Sequence, residues 1–110
     1  MRLTYYSALN GWFHGKGIKN SRRGNLEVAV KNYQKALNYA KKMNNIGTVA
    51  LELECLALTF SKLKDTSRAI QYAKEGLGIY QKSGNDDRNI AFKKGTERIQ
   101  HFLESITNER

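Results

Sequence analysis

A chain of 110 residues that is 40% hydrophobic and 26% charged can bury one modest core, so one domain is expected and a membrane-spanning class is excluded by the lack of any long apolar run. Its net charge of +9 is lopsided: residues 1–50 hold nine Lys/Arg against a single acid, Glu27, whereas residues 51–110 hold ten against nine. The basic first half implies attraction to something acidic, the absence of Pro implies long helices, and the lone Cys55 excludes an intrachain disulfide or a cysteine zinc cluster.

The start, MRLTYYSALNGWF, is aromatic and polar rather than basic-then-apolar, so no secretion signal is read and a cytoplasmic protein is expected. Residues 5–22 predict a first helix with Tyr5, Leu9, Trp12 and Phe13 as its stripe. The stripe lapses at Lys16, Gly17 and Asn20. Gly15 and Gly17 each cost about 1 kcal/mol in a helix interior relative to Ala, so the second half of this helix is expected to be the softest part of the fold.

Arg22–Asn25 is a turn, with Asn25 a candidate N-cap and Glu27 favoured by the helix dipole. A second helix is expected over Leu26–Met43, then a loop at Asn44–Asn45. The third, Ile46–Leu63, points Val49, Leu53, Leu56, Ala57 and Phe60 inward; it is the most apolar and should be central. Asp65 or Thr66 caps a fourth helix that runs to Lys82. Gly84 suits a C-cap, and Asn85, Asp86 and Asp87 suit the start of a final helix. That helix sets Phe92, Ile99, Phe102, Leu103 and Ile106 opposite Lys93, Lys94, Glu97, Arg98 and His101.

Sliding the chain by 40 residues pairs Ala29 with Ala69, Val30 with Ile70, Leu37 with Leu77, Phe13 with Leu53 and Gly17 with Ala57. Small residues meet small ones and large meet large. Such a period marks stacked helical hairpins, each too small to bury its own apolar face.

The stretch G-N-L-E-V-A-V-K-N-Y-Q-K-A-L from Gly24 resembles the second helix of a tetratricopeptide (TPR) repeat, including the Gly that begins its turn. A-L-E-L-E-C-L-A-L-T-F-S-K-L-K-D from Ala50 resembles the first helix of the next. The resemblance covers residues 9–84, with a period longer than the family's usual length of about 34. It is similar to extended-helix variants found in protein-binding adaptors and peptide-sensing regulators. It implies an all-α, right-handed α-solenoid: two hairpins, about 5–43 and 46–82, closed by a capping helix at about 86–107. Gly17 stands where the family has its small packing residue, and Asn20 departs from the family's aromatic.

Residues that could carry chemistry are sparse. Gly11–Gly17 has three residues between Gly11 and Gly15, Gly17 after the Lys, and no preceding strand, so it is not a phosphate loop. His14 and His101 lie far apart with no carboxylate at ligand spacing, so neither is read as a metal ligand and both are expected to be surface or groove residues. Cys55 lies among apolar neighbours with His14 as its only plausible base, and reads as a structural thiol. No catalytic residue, metal or cofactor is expected, and the chain is not read as an enzyme.

In the resembling family the first helix of each hairpin lines a concave groove. That places His14, Ile18 and Arg22 there, with Leu51, Glu54, Leu58 and Lys62 from the third helix and Lys94, Arg98 and His101 from the last. Leu51 and Leu58 could equally be core residues. Members that bind acidic chaperone tails use Lys, Asn and Arg where this chain has His14, Ile18 and Cys55, which argues against that ligand.

The expected function is therefore a protein- or peptide-binding module, an adaptor or scaffold, for an acidic or amphipathic peptide. Two alternatives stand beside it. Lys16, Lys19, Arg22 and Arg23 near Trp12 and Phe13 could hold nucleic acid, unless both aromatics are core. Tyr5, Tyr6 and Trp12 could join two copies into a homodimer through the first hairpin.

Overall fold

The computed structural model describes residues 2–83 and 90–108, so the expected caps at Gly84, Asn85, Asp86 and Asp87 lie outside the described residues. Five α-helices follow one another: α1 (Arg2–Arg22), α2 (Leu26–Lys42), α3 (Ile46–Lys62), α4 (Thr66–Ser83) and α5 (Ile90–Asn108). The described residues contain no strand. The radius of gyration, 13.8 Å, is close to the roughly 13 Å of a compact chain this long.

The first three turns share one construction at 20-residue spacing. Gly24, Asn44 and Lys64 all take positive φ, at 81°, 55° and 66°. After each, the next amide reaches back to close the preceding helix: Asn25 N to Asn20 O, Asn45 N to Ala40 O and Asp65 N to Phe60 O. These are Schellman closures, which satisfy the orphaned carbonyls of a helix end. Only Gly24 adopts this conformation without steric cost; at Lys64 it costs about 1 kcal/mol.

The residue after each of those positions begins the next helix. Asn45 Oδ1 accepts from Thr48 N at 3.1 Å, and Asp65 Oδ1 accepts from Arg68 N at 3.1 Å. Asn25 holds the N-cap position of α2 but makes no side-chain cap bond. Its amide instead leans towards Asn20 Oδ1 at 3.5 Å.

Each helix packs on the next in the chain, and α3 also touches α5. Small residues set the spacing: Ala29, Ala36 and Ala40 on α2, Ala50 and Ala57 on α3, and Ala69 and Ala73 on α4 are all buried. Larger side chains fill the remaining space, with Leu56 fully enclosed on α3 and Ile99 nearly so on α5. No described helix is long and apolar enough to cross a membrane.

Two expectations for α1 need correction. Gly17 is not a lapse in its packing. It is buried, and the Tyr33 ring lies where its side chain would be, 2.6 Å from an ideal Cβ position. Gly95 receives the Tyr80 ring in the same way, also at 2.6 Å. Nor do all four apolar residues of the expected stripe face inward. Tyr5 and Trp12 are 62% and 63% exposed, whereas Phe13 stacks on Tyr39 at 5.8 Å.

Candidate functional site

Helix α3 carries two carboxylates, Glu52 and Glu54. Two residues of helix is roughly 200° of turn, so they point to opposite flanks of α3. Each is held by the helix on its own side.

Glu54 faces α5. Arg98 donates to it twice, Nε at 2.8 Å and Nη2 at 3.0 Å, in a bidentate fork. The Tyr80 hydroxyl lies 3.5 Å from the same carboxylate. The bond to Glu54 raises the Arg98 pKa further, and burial is the main reason that the Tyr80 phenol also titrates above its usual value.

Glu52 faces α1 and is almost completely buried. A carboxylate there is tolerable only if it is paired and hydrogen-bonded. His14 Nδ1 lies 2.8 Å from Oε1, and Asn10 Nδ2 donates to Oε2 at 3.2 Å. Asn10 is itself fixed by a bond to Ala36 O at 2.8 Å. The bond to Glu52 raises the His14 pKa against the opposing effect of burial. Burial pushes the neighbouring Cys55 thiol up to about 12, with both carboxylates adding to the shift. A nucleophilic cysteine needs the opposite shift, so this trio is not poised for thiol catalysis.

The expected groove residues do not all meet in one place. Leu58, Glu54 and Arg98 meet at a depression of about 180 Å³, floored by Ala57, Ile99 and Phe102. Leu51, Lys94 and Arg98 border a second, of about 480 Å³, with Thr48 and Phe92. Ile18, Arg22, Lys62 and His101 line neither; Ile18 packs against the core and the other three are exposed. His14 turns to Glu52 and lines neither depression.

Leu51 and Leu58 are 39% and 43% exposed, so they are not core residues. Seven residues apart on α3, they share one face, with Glu54 between them. Another concavity of about 460 Å³, bordered by Glu27, Lys31, Phe60 and Arg68, lies away from both carboxylates. Its Arg68 is occupied by Asp65 and the Phe60 ring.

Of the basic cluster on the first hairpin, Lys16 Nζ lies over the exposed Trp12 ring at 5.6 Å, and Lys19, Arg22 and Arg23 are exposed. Phe13 is half-buried against Tyr39, with Lys35 above it.

Glu52 and Asn10 were not foreseen as site residues. Glu52 falls in register with Val49, Leu53, Leu56 and Phe60 on the inward face of α3. An acid in a core register demands a partner, and that signal was readable in the sequence. The partner was not, because it lies 38 residues away in the chain.

Comparison of the chain with protein families, curated proteins and solved structures finds no match to any of them.

Proposed function

We propose that the chain is a non-catalytic protein- or peptide-binding module of TPR-like build, with hairpins α1–α2 and α3–α4 stacked and α5 as the cap. The surface that binds is the α3–α5 face, and the ligand is an acidic or amphipathic peptide with apolar anchors. The carrying observation is the pair Leu51 and Leu58. Both stay exposed on the central helix and flank a fixed Glu54–Arg98 pair, each beside its own depression. Apolar side chains of a partner would enter the two depressions. Its acidic flanks would meet Lys94 and Lys62.

Leu51→Glu with Leu58→Glu tests the reading. Both sites are exposed, so helicity by circular dichroism should match the parent. Burying a carboxylate against an apolar anchor should weaken binding of any captured partner at least thirtyfold, roughly 2 kcal/mol. The readout is recovery from native lysate, treated with nuclease, on parent and variant side by side. Equal recovery of the same discrete protein would remove the groove from the proposal.

The exposed Trp12 with Lys16 above it favours a second reading, nucleic-acid binding by the first hairpin. Affinity for a single strand should then fall steeply with salt, and Trp12→Ala should cost about 1–3 kcal/mol. A flat salt profile would eliminate it. The same exposed Tyr5 and Trp12 are also the surface a homodimer would bury, and a monomeric mass at high concentration would dismiss that option.

A further inference from the structure

The trio His14, Glu52 and Cys55 is assembled from α1 and α3, and the groove makes no use of it. One ligand atom from each lies within 4.8 Å of the others. We propose that His14, Glu52 and Cys55 form a zinc-binding site bridging α1 and α3, with the fourth coordination position open to water or to a partner's side chain.

The donor set is one imidazole, one carboxylate and one thiol, the three side-chain types that bind zinc. Zinc bonds of about 2.0 Å to N and O and about 2.3 Å to S place tetrahedral ligand atoms roughly 3.3–3.6 Å apart. The His14–Glu52 distance, 2.8 Å, is shorter than that, and all three ligand atoms lie within 4.8 Å of one another. Side-chain rotations that draw the thiol in and open the His14–Glu52 pair would set the three atoms at those separations.

The surroundings are those of a supported site. Asn10 holds Oε2 of Glu52, which leaves Oε1, the oxygen already facing His14, for the ion. The amide of Asn10 is anchored on Ala36 O, so the carboxylate is oriented in advance. The His14 and Tyr33 rings meet in a T-shaped contact with centroids 5.7 Å apart. Such outer contacts fix ligand orientation in metal sites. His14 retains 24% exposure, and that side gives an ion its entry. Binding would displace the thiol proton of Cys55 to solvent, together with any proton on the imidazole nitrogen that binds; the ion takes their place in the buried cluster. No electron is transferred.

The test uses the full chain, free of any histidine tag and stripped with a chelator. Zinc is titrated in competition with a chromophoric chelator, and cobalt(II) is added separately as a spectroscopic stand-in. One equivalent of zinc should be withheld from the chelator. Cobalt should produce a thiolate charge-transfer band and the visible spectrum of a tetrahedral ion. Cys55→Ser should abolish the charge-transfer band and weaken zinc at least tenfold, and His14→Ala should weaken zinc by a similar factor. Serine differs from cysteine by one atom, so its circular dichroism should match the parent. That variant carries the test even if His14→Ala loosens α1. A cobalt spectrum without the thiolate band, no retention of zinc, or zinc affinity unchanged in Cys55→Ser would each overturn the site.

Discussion

Leu56→Ala should lower the free energy of unfolding by about 3 kcal/mol, the middle of the range for a leucine removed from a closed core. Among the described residues, Leu56 is the largest side chain with no exposure at all, and it sits on the helix that the other four described helices reach by packing or by a side-chain bond. The core it belongs to draws buried residues from α2, α3 and α4, with Ile106 from α5. Truncation leaves a void that helices stapled by Glu52 and Glu54 cannot readily close. For a domain of this size, that loss lowers the melting temperature by about 10–20 °C. Leu58→Ala, two residues along at 43% exposure, should cost under about 1 kcal/mol. Urea denaturation of the two variants measures the contrast. Similar losses would mean that α3 is rotated relative to the arrangement described above.

A second contrast concerns the glycines of α1 and α5. Gly17→Ala and Gly95→Ala each insert a methyl group 2.6 Å from a tyrosine ring atom. Tyr33 and Tyr80 are 5% and 4% exposed, so neither ring is free to swing aside. Overpacking of this kind costs about 1–3 kcal/mol, and the gain in helix propensity returns about 1 kcal/mol. The net effect should be a loss, larger still for Gly17→Val. Gly11 and Gly15 lie on the same helix with nothing within 4 Å of an added Cβ. Alanine there should therefore stabilise by up to about 1 kcal/mol each. The same substitution on one helix should thus change sign with position, which thermal melts can read directly. Stabilisation at Gly17 would show that α1 and α2 are further apart than described.

Five helices followed from apolar spacing and turn residues, to within a few residues at the described ends. Local signals suffice for this, because periodicity and capping act within a helix and its first turn. The shared build of the three turns was hidden, since Asn44 and Lys64 take a conformation that glycine would advertise. The exposure of Trp12 has a plain cause. Trp12 stands 40 residues before Glu52, in the same register of the repeat. At Glu52 that register is covered by α1; at Trp12 no described helix covers it, and the side chain remains exposed. Residue type alone does not distinguish the two cases.

The placement of several candidate residues was readable. Leu51, Glu54, Leu58, Lys94 and Arg98 fall together at the two depressions because helical spacing puts the first three on one face of α3 and brings α5 alongside. His14, Glu52 and Cys55 were not readable as a cluster. Their meeting depends on how α1 lies across α3, which no spacing within one helix encodes.

The proposed binding of a peptide at the α3–α5 face can be measured directly. The direct measurement is selection of a random peptide library on the immobilised chain, followed by equilibrium affinity of the enriched peptide for the parent and for Leu51→Glu with Leu58→Glu. Enriched peptides should carry paired apolar anchors and acidic flanks and bind the variant at least thirtyfold more weakly, a difference of roughly 2 kcal/mol. No enrichment, or a peptide bound equally well by both proteins, would contradict it.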